Sequence, residues 1–386
     1  MSAGGIGKRA GEVPGRYIGR FFTEGIPETK FPEQGMSAQS AHYLIEEEVA
    51  LDGDPWRNLA TFVTTWMEPE AQGIIAQNLH RNFIDHAEYP RTAEIERRCV
   101  RMLADLYNAP GETTGARCQG SSEAVMLGGL AAKWRWRKAR GDAGLDTAKP
   151  NLVFGGDVHV VWNKFCRYFD VEPRTVPLRA GKYTIGPDDV ESLVDENTIA
   201  VVAVLGTTFT GEADDVAGIN ELLRRIREER ELDVALHVDA ASGGFVWPFL
   251  YPKEPWDFRL EQVRSINVSG HKFGLVYPGI GWLVFRDASE LPDDLVFYEN
   301  YLGETEYDEF DVAAQLAAER GWMVPAYTLP PDVQDVTVMR ALVKENVSHA
   351  AARTLADDIV HACETLDKKG SLHPRDRKRV KTGTGY

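Results

Sequence analysis

At 386 residues the chain is long enough for two or three domains, and 43% hydrophobic with 10% aromatic residues is an ordinary balance for a globular protein with a sizeable core. A formal net charge of −16 argues against a nucleic-acid surface, no run of eighteen apolar residues spells a membrane helix, and residues Met1 to Arg16 lack the apolar centre of a secretory signal. The four cysteines, Cys99, Cys118, Cys166 and Cys363, form no C-x-x-C pair, which fits neither a zinc site nor a disulfide framework and points to a reducing cytoplasm.

The first thirty-odd residues read as a loose arm broken by Pro27 and Pro32, followed by a short amphipathic helix from Ser37 to Ala50. A second helical pattern runs from Thr92 to Tyr107 and leads into a Gly/Pro-containing loop that ends at Gly120. From there helices and short apolar runs alternate. Helices are expected over Ser122 to Arg140 and Asp214 to Glu229. Strands are expected at Asn151 to Phe154, Thr198 to Leu205, Val234 to Val238, Val263 to Val268 and Trp282 to Phe285. That alternation implies β-α-β units and a mainly parallel sheet. After Asp287 a charged segment leads to a helix near Val312 to Glu319 and a strand around Val336 to Met339, a smaller α+β unit. The basic stretch from Lys368 to Lys381 reads as a solvated tail, with His373 as a candidate pH sensor.

Parallel α/β sheets bind ligands beyond the carboxyl ends of their strands, and three polar strings fall at such places. The first is Ser269-Gly270-His271-Lys272, directly after a strand. A lysine held inside a fold loses proton affinity and becomes a nucleophile towards an aldehyde, forming a Schiff base. Standing alone, the string fits an exposed turn equally well. The second is Asp239 at the end of the apolar run Val234 to Val238, followed by the small residues Ala240, Ala241 and Ser242. A carboxylate there needs a cationic partner or hydrogen bonds, and the protonated ring nitrogen of pyridoxal phosphate (PLP) is such a partner. Its plainer reading is a turn cap. The third is Gly120-Ser121-Ser122-Glu123 at a helix start, a ready anion site or an ordinary N-cap. Taken together the three supply what PLP requires at its aldehyde, ring nitrogen and phosphate. Their order is that of the large fold of PLP enzymes that includes the aminotransferases. No G-x-G-x-x-G follows an early strand, which disfavours a nucleotide-binding dehydrogenase.

Longer strings narrow the class. NLATF (Asn58 to Phe62), EYP (Glu88 to Pro90), GSSEA from Gly120, KWRWRK (Lys133 to Lys138), HVDAASGGF (His237 to Phe245) and SGHKFG from Ser269 resemble the PLP-dependent glutamate decarboxylases, from about Phe31 to Tyr301 and again from about Gly321 to Arg340. The resemblance implies an aspartate aminotransferase-like α/β fold and decarboxylation of L-glutamate to 4-aminobutyrate (GABA). It also implies a homodimer or higher homo-oligomer whose substrate site crosses the subunit interface. Lys272 would carry the cofactor, Asp239 would hold its ring nitrogen, and Ala241 and His159 would flank the ring. Gly120, Ser121, Ser122, Ser269 and His271 would hold the phosphate, Thr208 would lie beside the cofactor, and Lys272 or His271 would return the proton. Thr61, Phe62, Asn82 and Asp85 would meet the distal carboxylate of glutamate, and Arg340 the α-carboxylate. The expected organisation is an N-terminal arm and helix over 1–52, a PLP-binding large domain over 53–300, and a shortened small domain with its tail over 301–386.

The pattern breaks after Tyr301-Leu302-Gly303, where the family continues into a glycine- and serine-containing segment and a long helix. Here Gly303 runs into Glu304 to Glu309, and the match resumes near Arg320-Gly321-Trp322. A loss of several dozen residues should leave apolar surface uncovered. It also opens two alternatives: a relative acting on another amino acid, such as aspartate or an aromatic one, or a PLP-binding homologue without turnover.

Overall fold

The computed structural model describes residues 27–33, 35–82, 86, 88–296, 311–330, 332–333 and 335–369. Asp85, the junction at Gly303 and the tail with His373 lie outside them. The described residues fall in two compact units divided between Thr61 and Phe62.

The first unit carries helix α1, Ala38–Val49. Ser37 starts it, in extended backbone, with its hydroxyl accepting from the Ser40 backbone N–H at 3.1 Å, as an N-cap serine does. A turn at Pro55–Arg57 is capped in the same way by Asp54, and Thr61 accepts a long 3.5 Å bond from the Asn58 amide.

The second unit opens with α2 (Pro69–Asn78) and α3 (Pro90–Leu106), each with proline in its first turn, where no N–H is needed. Then follow β1 (Gly115–Cys118), α4 (Ser121–Asp142), β2 (Asn151–Gly155), α5 (Val160–Tyr168), β3 (Glu172–Val176), the short α6 (Pro187–Val190) and β4 (Thr198–Val204). Next come α7 (Val216–Arg230), β5 (Ala235–Asp239), the short α8 (Trp247–Leu250), β6 (Val263–Ser269) and β7 (Gly281–Phe285). After the undescribed gap stand α9 (Asp311–Arg320), the hairpin pair β8 (Ala326–Thr328) and β9 (Thr337–Met339), and α10 (His349–Lys368).

Seven strands form one sheet in the order β1-β7-β6-β5-β4-β2-β3. The run from β6 to β3 is parallel, as the alternation of elements predicts. β7 instead runs antiparallel to β6, because residues 270–280 are too few to return the chain through a helix. β1 is antiparallel to β7 in turn, and the second reversal brings its carboxyl end to the same edge as the ends of β2, β4, β5 and β6.

Two apolar layers cover the sheet. Val201 and Ala203 of β4 pack with Leu103 of α3 and Leu222, Leu223 and Ile226 of α7. Ala200, Val202 and Val204 face the other way, towards Val125 of α4 and Trp162 and Phe165 of α5. Every residue of β4 is buried, which accounts for the unbroken apolar run that follows Thr198. Each fully buried valine stabilises the sheet by about 1.5–3 kcal/mol. Met323, Leu342 and Val343 of the C-terminal part are exposed.

Candidate active site

The edge where five strand ends meet holds a cavity of about 270 Å³. Gly120, Ser121 and Ser122 enter it from the start of α4, His159 from the start of α5, and Thr208 from the turn after β4. Asp239 and Ala241 line it from β5, and Ser269, His271 and Lys272 from β6 and the loop beyond. These are the ten residues that the sequence nominates for the cofactor. A larger cavity of about 450 Å³ lies between α3 and residues 111–116. Its lining mixes Arg97 and Arg101 with Glu96, Asp105 and Glu112 and offers no amine nucleophile, so its size does not make it the better candidate.

The amine end is built by the short loop after β6. Lys272 Nζ donates to Ser242 Oγ at 3.3 Å and stands 5.2 Å from the centroid of the Phe62 ring. Burial lowers the proton affinity of this ammonium, and the negative charge of Asp239 opposes the shift only in part. A larger neutral fraction is what a nucleophilic amine needs. Burial and the adjacent Lys272 charge likewise lower the pKa of His271. Its Nδ1 is buried with no hydrogen-bond partner among the described residues.

The anion end is the N-terminus of α4. Gly120 sits at φ +78°, a conformation that favours glycine, and no side chain caps the helix from that position. The backbone N–H groups of the first turn have no partner within the helix and point outward with the positive end of its dipole. Ser121 Oγ and Ser269 Oγ meet at 2.6 Å, joining the helix start to the end of β6. Gly281 of β7 makes the approach possible, since a Cβ there would lie 2.3 Å from the Gly120 carbonyl carbon.

At the end of β5, Asp239 is 4% exposed. Its Oδ1 accepts from Asn267 Nδ2 at 2.9 Å and from the Ala241 N–H at 3.2 Å, and its Oδ2 accepts from Trp162 Nε1 at 2.9 Å. An ionised carboxylate offers about four lone-pair positions. Three are taken, which leaves one on Oδ2. His159 caps α5, with Nδ1 accepting from the Val161 N–H at 3.3 Å while its ring borders the cavity.

The substrate candidates are not gathered in the same way. Phe62 is brought to Lys272, but Asn82 is exposed between α2 and α3 and does not line the cavity. Thr61 belongs to the first unit. Arg340 follows β9, with its N–H bonded to the Pro325 carbonyl at 3.0 Å and its guanidinium 5.4 Å from the Tyr327 ring centroid, and it does not line the cavity either. Sequence reasoning missed Ser242, Trp162 and Asn267, all of which touch the central groups. Ser242 stands in the same run of small residues as Asp239 and was legible there; Trp162 and Asn267 look like ordinary interior positions.

Residues 32–320, well over half of the chain, match the pyridoxal-dependent decarboxylase conserved domain. A glutamate decarboxylase of Solanum lycopersicum is 39% identical over 442 aligned positions, covering 94% of this chain and 88% of the relative. One from Aliivibrio fischeri is 38% identical, covering 91% of this chain and 92% of the relative. The solved glutamate decarboxylase of Lactobacillus brevis superposes with a TM-score of 0.70 at 34% identity, covering 89% of this chain and 96% of that one. The chain belongs to the pyridoxal-dependent decarboxylase family, on the branch whose curated relatives are glutamate decarboxylases. Its fold is the aspartate aminotransferase-like fold of PLP enzymes. Because 442 positions are aligned to a chain of 386 residues, the alignment steps over stretches of the relative, in keeping with the internal loss read from the sequence.

The residues present fit PLP. One Oδ2 position of Asp239 remains for a ring N–H, Lys272 is half-buried with a lowered pKa, and the uncapped α4 N-terminus meets two hydroxyls and an unpartnered His271 nitrogen.

Proposed function

We propose that this chain removes the α-carboxylate of L-glutamate as carbon dioxide and releases GABA, with PLP held in the 270 Å³ cavity. The carrying observation is that a half-buried lysine, a buried carboxylate with one open acceptor position and an uncapped helix N-terminus converge on one cavity of cofactor size. PLP, when bound, supplies an aldehyde for amines and a ring that takes up the electron pair left by the departing carboxylate.

The roles of the protein groups follow. Lys272, half-buried with a lowered proton affinity, would supply the neutral amine that holds the cofactor. Asp239 would keep the ring nitrogen protonated by offering it Oδ2, and three fixed donors, two on Oδ1 and one on Oδ2, hold the carboxylate in place. Ser121, Ser122, Ser269, His271 and the Gly120 turn bind the phosphate. His159, Ala241 and Thr208 line the cavity and would border the cofactor ring. Loss of carbon dioxide leaves the α-carbon one proton short. Lys272 and His271 border the cavity and are the candidates to return it.

Arg340 is proposed to grip the α-carboxylate by a two-pronged bond. Phe62, Thr61, Asn82 and Asp85 are proposed to set the distal carboxylate, Asp85 through a shared proton in mild acid. Arg340 and Asn82 do not line the cavity of this single chain, so the substrate reading goes with a homodimer or higher homo-oligomer. No described helix is long and apolar enough to cross a membrane, and a cytoplasmic location is the proposal made from the cysteine pattern. Titrating the apo-protein with PLP while following absorbance tests the site. Saturable binding that Lys272→Ala converts to a weak, unshifted spectrum supports it, and identical spectra for the two proteins would remove Lys272 from the site.

A further inference from the structure

Behind Asp239 lies a buried chain of side chains, in which His237 and Ser265 have no part in the roles above. His237 and Asp239 share one face of β5, and their registered partners Ser265 and Asn267 share the same face of β6. Asn267 Oδ1 lies 2.7 Å from His237 Nε2, and His237 Nδ1 lies 2.7 Å from Ser265 Oγ. Ser265, Asn267 and His237 are 6%, 0% and 3% exposed. Trp162, which donates to Asp239, also meets the His237 ring edge-on at a centroid distance of 5.0 Å. Gly128 of α4 leaves room for that ring, since a Cβ there would stand 3.0 Å from His237 Cε1.

The hydrogen positions follow from elimination. A carboxylate only accepts, so Asn267 must present its NH₂ to Asp239 and its oxygen to His237. An oxygen 2.7 Å from Nε2 needs a hydrogen between them, so Nε2 carries one. Burial pushes the pKa of His237 down, against the Asn267 bond and the Asp239 charge, which favours a neutral ring with a single N–H. Nδ1 is then an acceptor, and the Ser265 hydroxyl donates to it.

We propose that His237, locked as its Nε2–H tautomer by Ser265, is a positioning residue for Asp239. It orients the Asn267 amide so that Asp239 meets a donor and keeps its open oxygen position towards the cavity. The inference rests on the reading of Asp239 as the partner of the ring nitrogen.

His237→Gln keeps an N–H donor near the Nε2 position, whereas His237→Phe keeps the bulk and removes the donor. Losing a hydrogen bond that orients a charged group should weaken PLP binding by about tenfold or more in His237→Phe, while His237→Gln stays within about threefold. The absorption maximum of the bound cofactor, which reports the charge at its ring nitrogen, should shift in the Phe variant only. Equal effects of the two substitutions on affinity and spectrum would overturn the proposal. Independently of folding in either variant, ¹⁵N NMR of imidazole-labelled wild-type apo-protein reads the tautomer directly. A buried, neutral Nε2–H ring is expected, and an Nδ1–H or doubly protonated ring would overturn the proposal. Wild-type protein that binds no PLP would overturn the underlying reading of Asp239, an outcome distinct from either of these.

Discussion

Lys272 Nζ and Ser242 Oγ, thirty positions apart in sequence, are joined by a 3.3 Å hydrogen bond that ties the loop after β6 to the turn after β5. The hydroxyl favours the ammonium over the free amine, and so works against the burial that lowers the lysine pKa. Ser242→Ala therefore lowers the Lys272 pKa further. The pH dependence of PLP association with the apo-protein should move to lower pH in this variant. A move to higher pH would contradict the role given to the hydroxyl.

Trp162 is fully buried against the sheet and holds Asp239 through its indole N–H. Trp162→Phe removes that donor and part of the ring volume, leaving a carboxylate oxygen short of a partner and a small void. A stability loss of about 2–4 kcal/mol is expected by chemical denaturation, together with weaker PLP binding. A variant as stable as the parent would show that the indole bond is not formed in solution.

Asp214 is 4% exposed and accepts from the Ile185 and Val204 backbone N–H groups at 2.8 and 2.7 Å. Burial raises its pKa from 3.8 to about 7; the two donors do not offset it, and the nearby Asp157 and Asp189 charges add to it. The folded state thus holds a proton that the unfolded chain releases near pH 4. The associated stability is full below about pH 4 and is lost as pH rises to about 7. Asp214→Asn cannot titrate. Denaturation at several pH values should show the wild-type protein losing stability relative to Asp214→Asn across that interval, and parallel curves would refute the raised pKa.

Glu290 is 4% exposed and pairs with Arg135 and with Arg264, the latter at 2.8 Å. Glu290→Gln leaves the two guanidinium groups facing a neutral amide. Breaking such a cluster should cost about 3 kcal/mol, the low end for buried pairs because both arginines keep partial access to water. Thermal denaturation checks this, and an unchanged midpoint would mean that the arginines find other partners.

Much of the fold was legible because β2, β4 and β7 are buried along all or nearly all of their length and spell short apolar runs, while β5 and β6 set apolar residues between buried polar ones. β3 was not, since Glu172 and Pro173 give an exposed sheet-edge strand a polar start, and the four residues of β1 are too few to show a period. α2 and α10 also went unread; α2 buries none of its residues and has only a weak apolar stripe, whereas the stripe of α10 is no weaker than that of α7. The cavity was legible for a different reason. Lys272, Asp239 and Ser121 sit at strand ends and a helix start, where each alone also reads as a turn or cap residue; only the three together match what PLP requires. Trp162, His237 and Asn267 act from inside elements, where a polar atom shows its purpose only once its partner across the sheet is known.

The most direct test is GABA production from L-glutamate by the purified chain, with excess PLP and pH varied across mild acid. Turnover that Lys272→Ala abolishes in a folded protein is the expected result. A folded wild-type chain that binds PLP but yields no GABA at any pH would contradict the glutamate decarboxylase activity and leave a cofactor-binding homologue that lost its chemistry, or that acts on another amino acid.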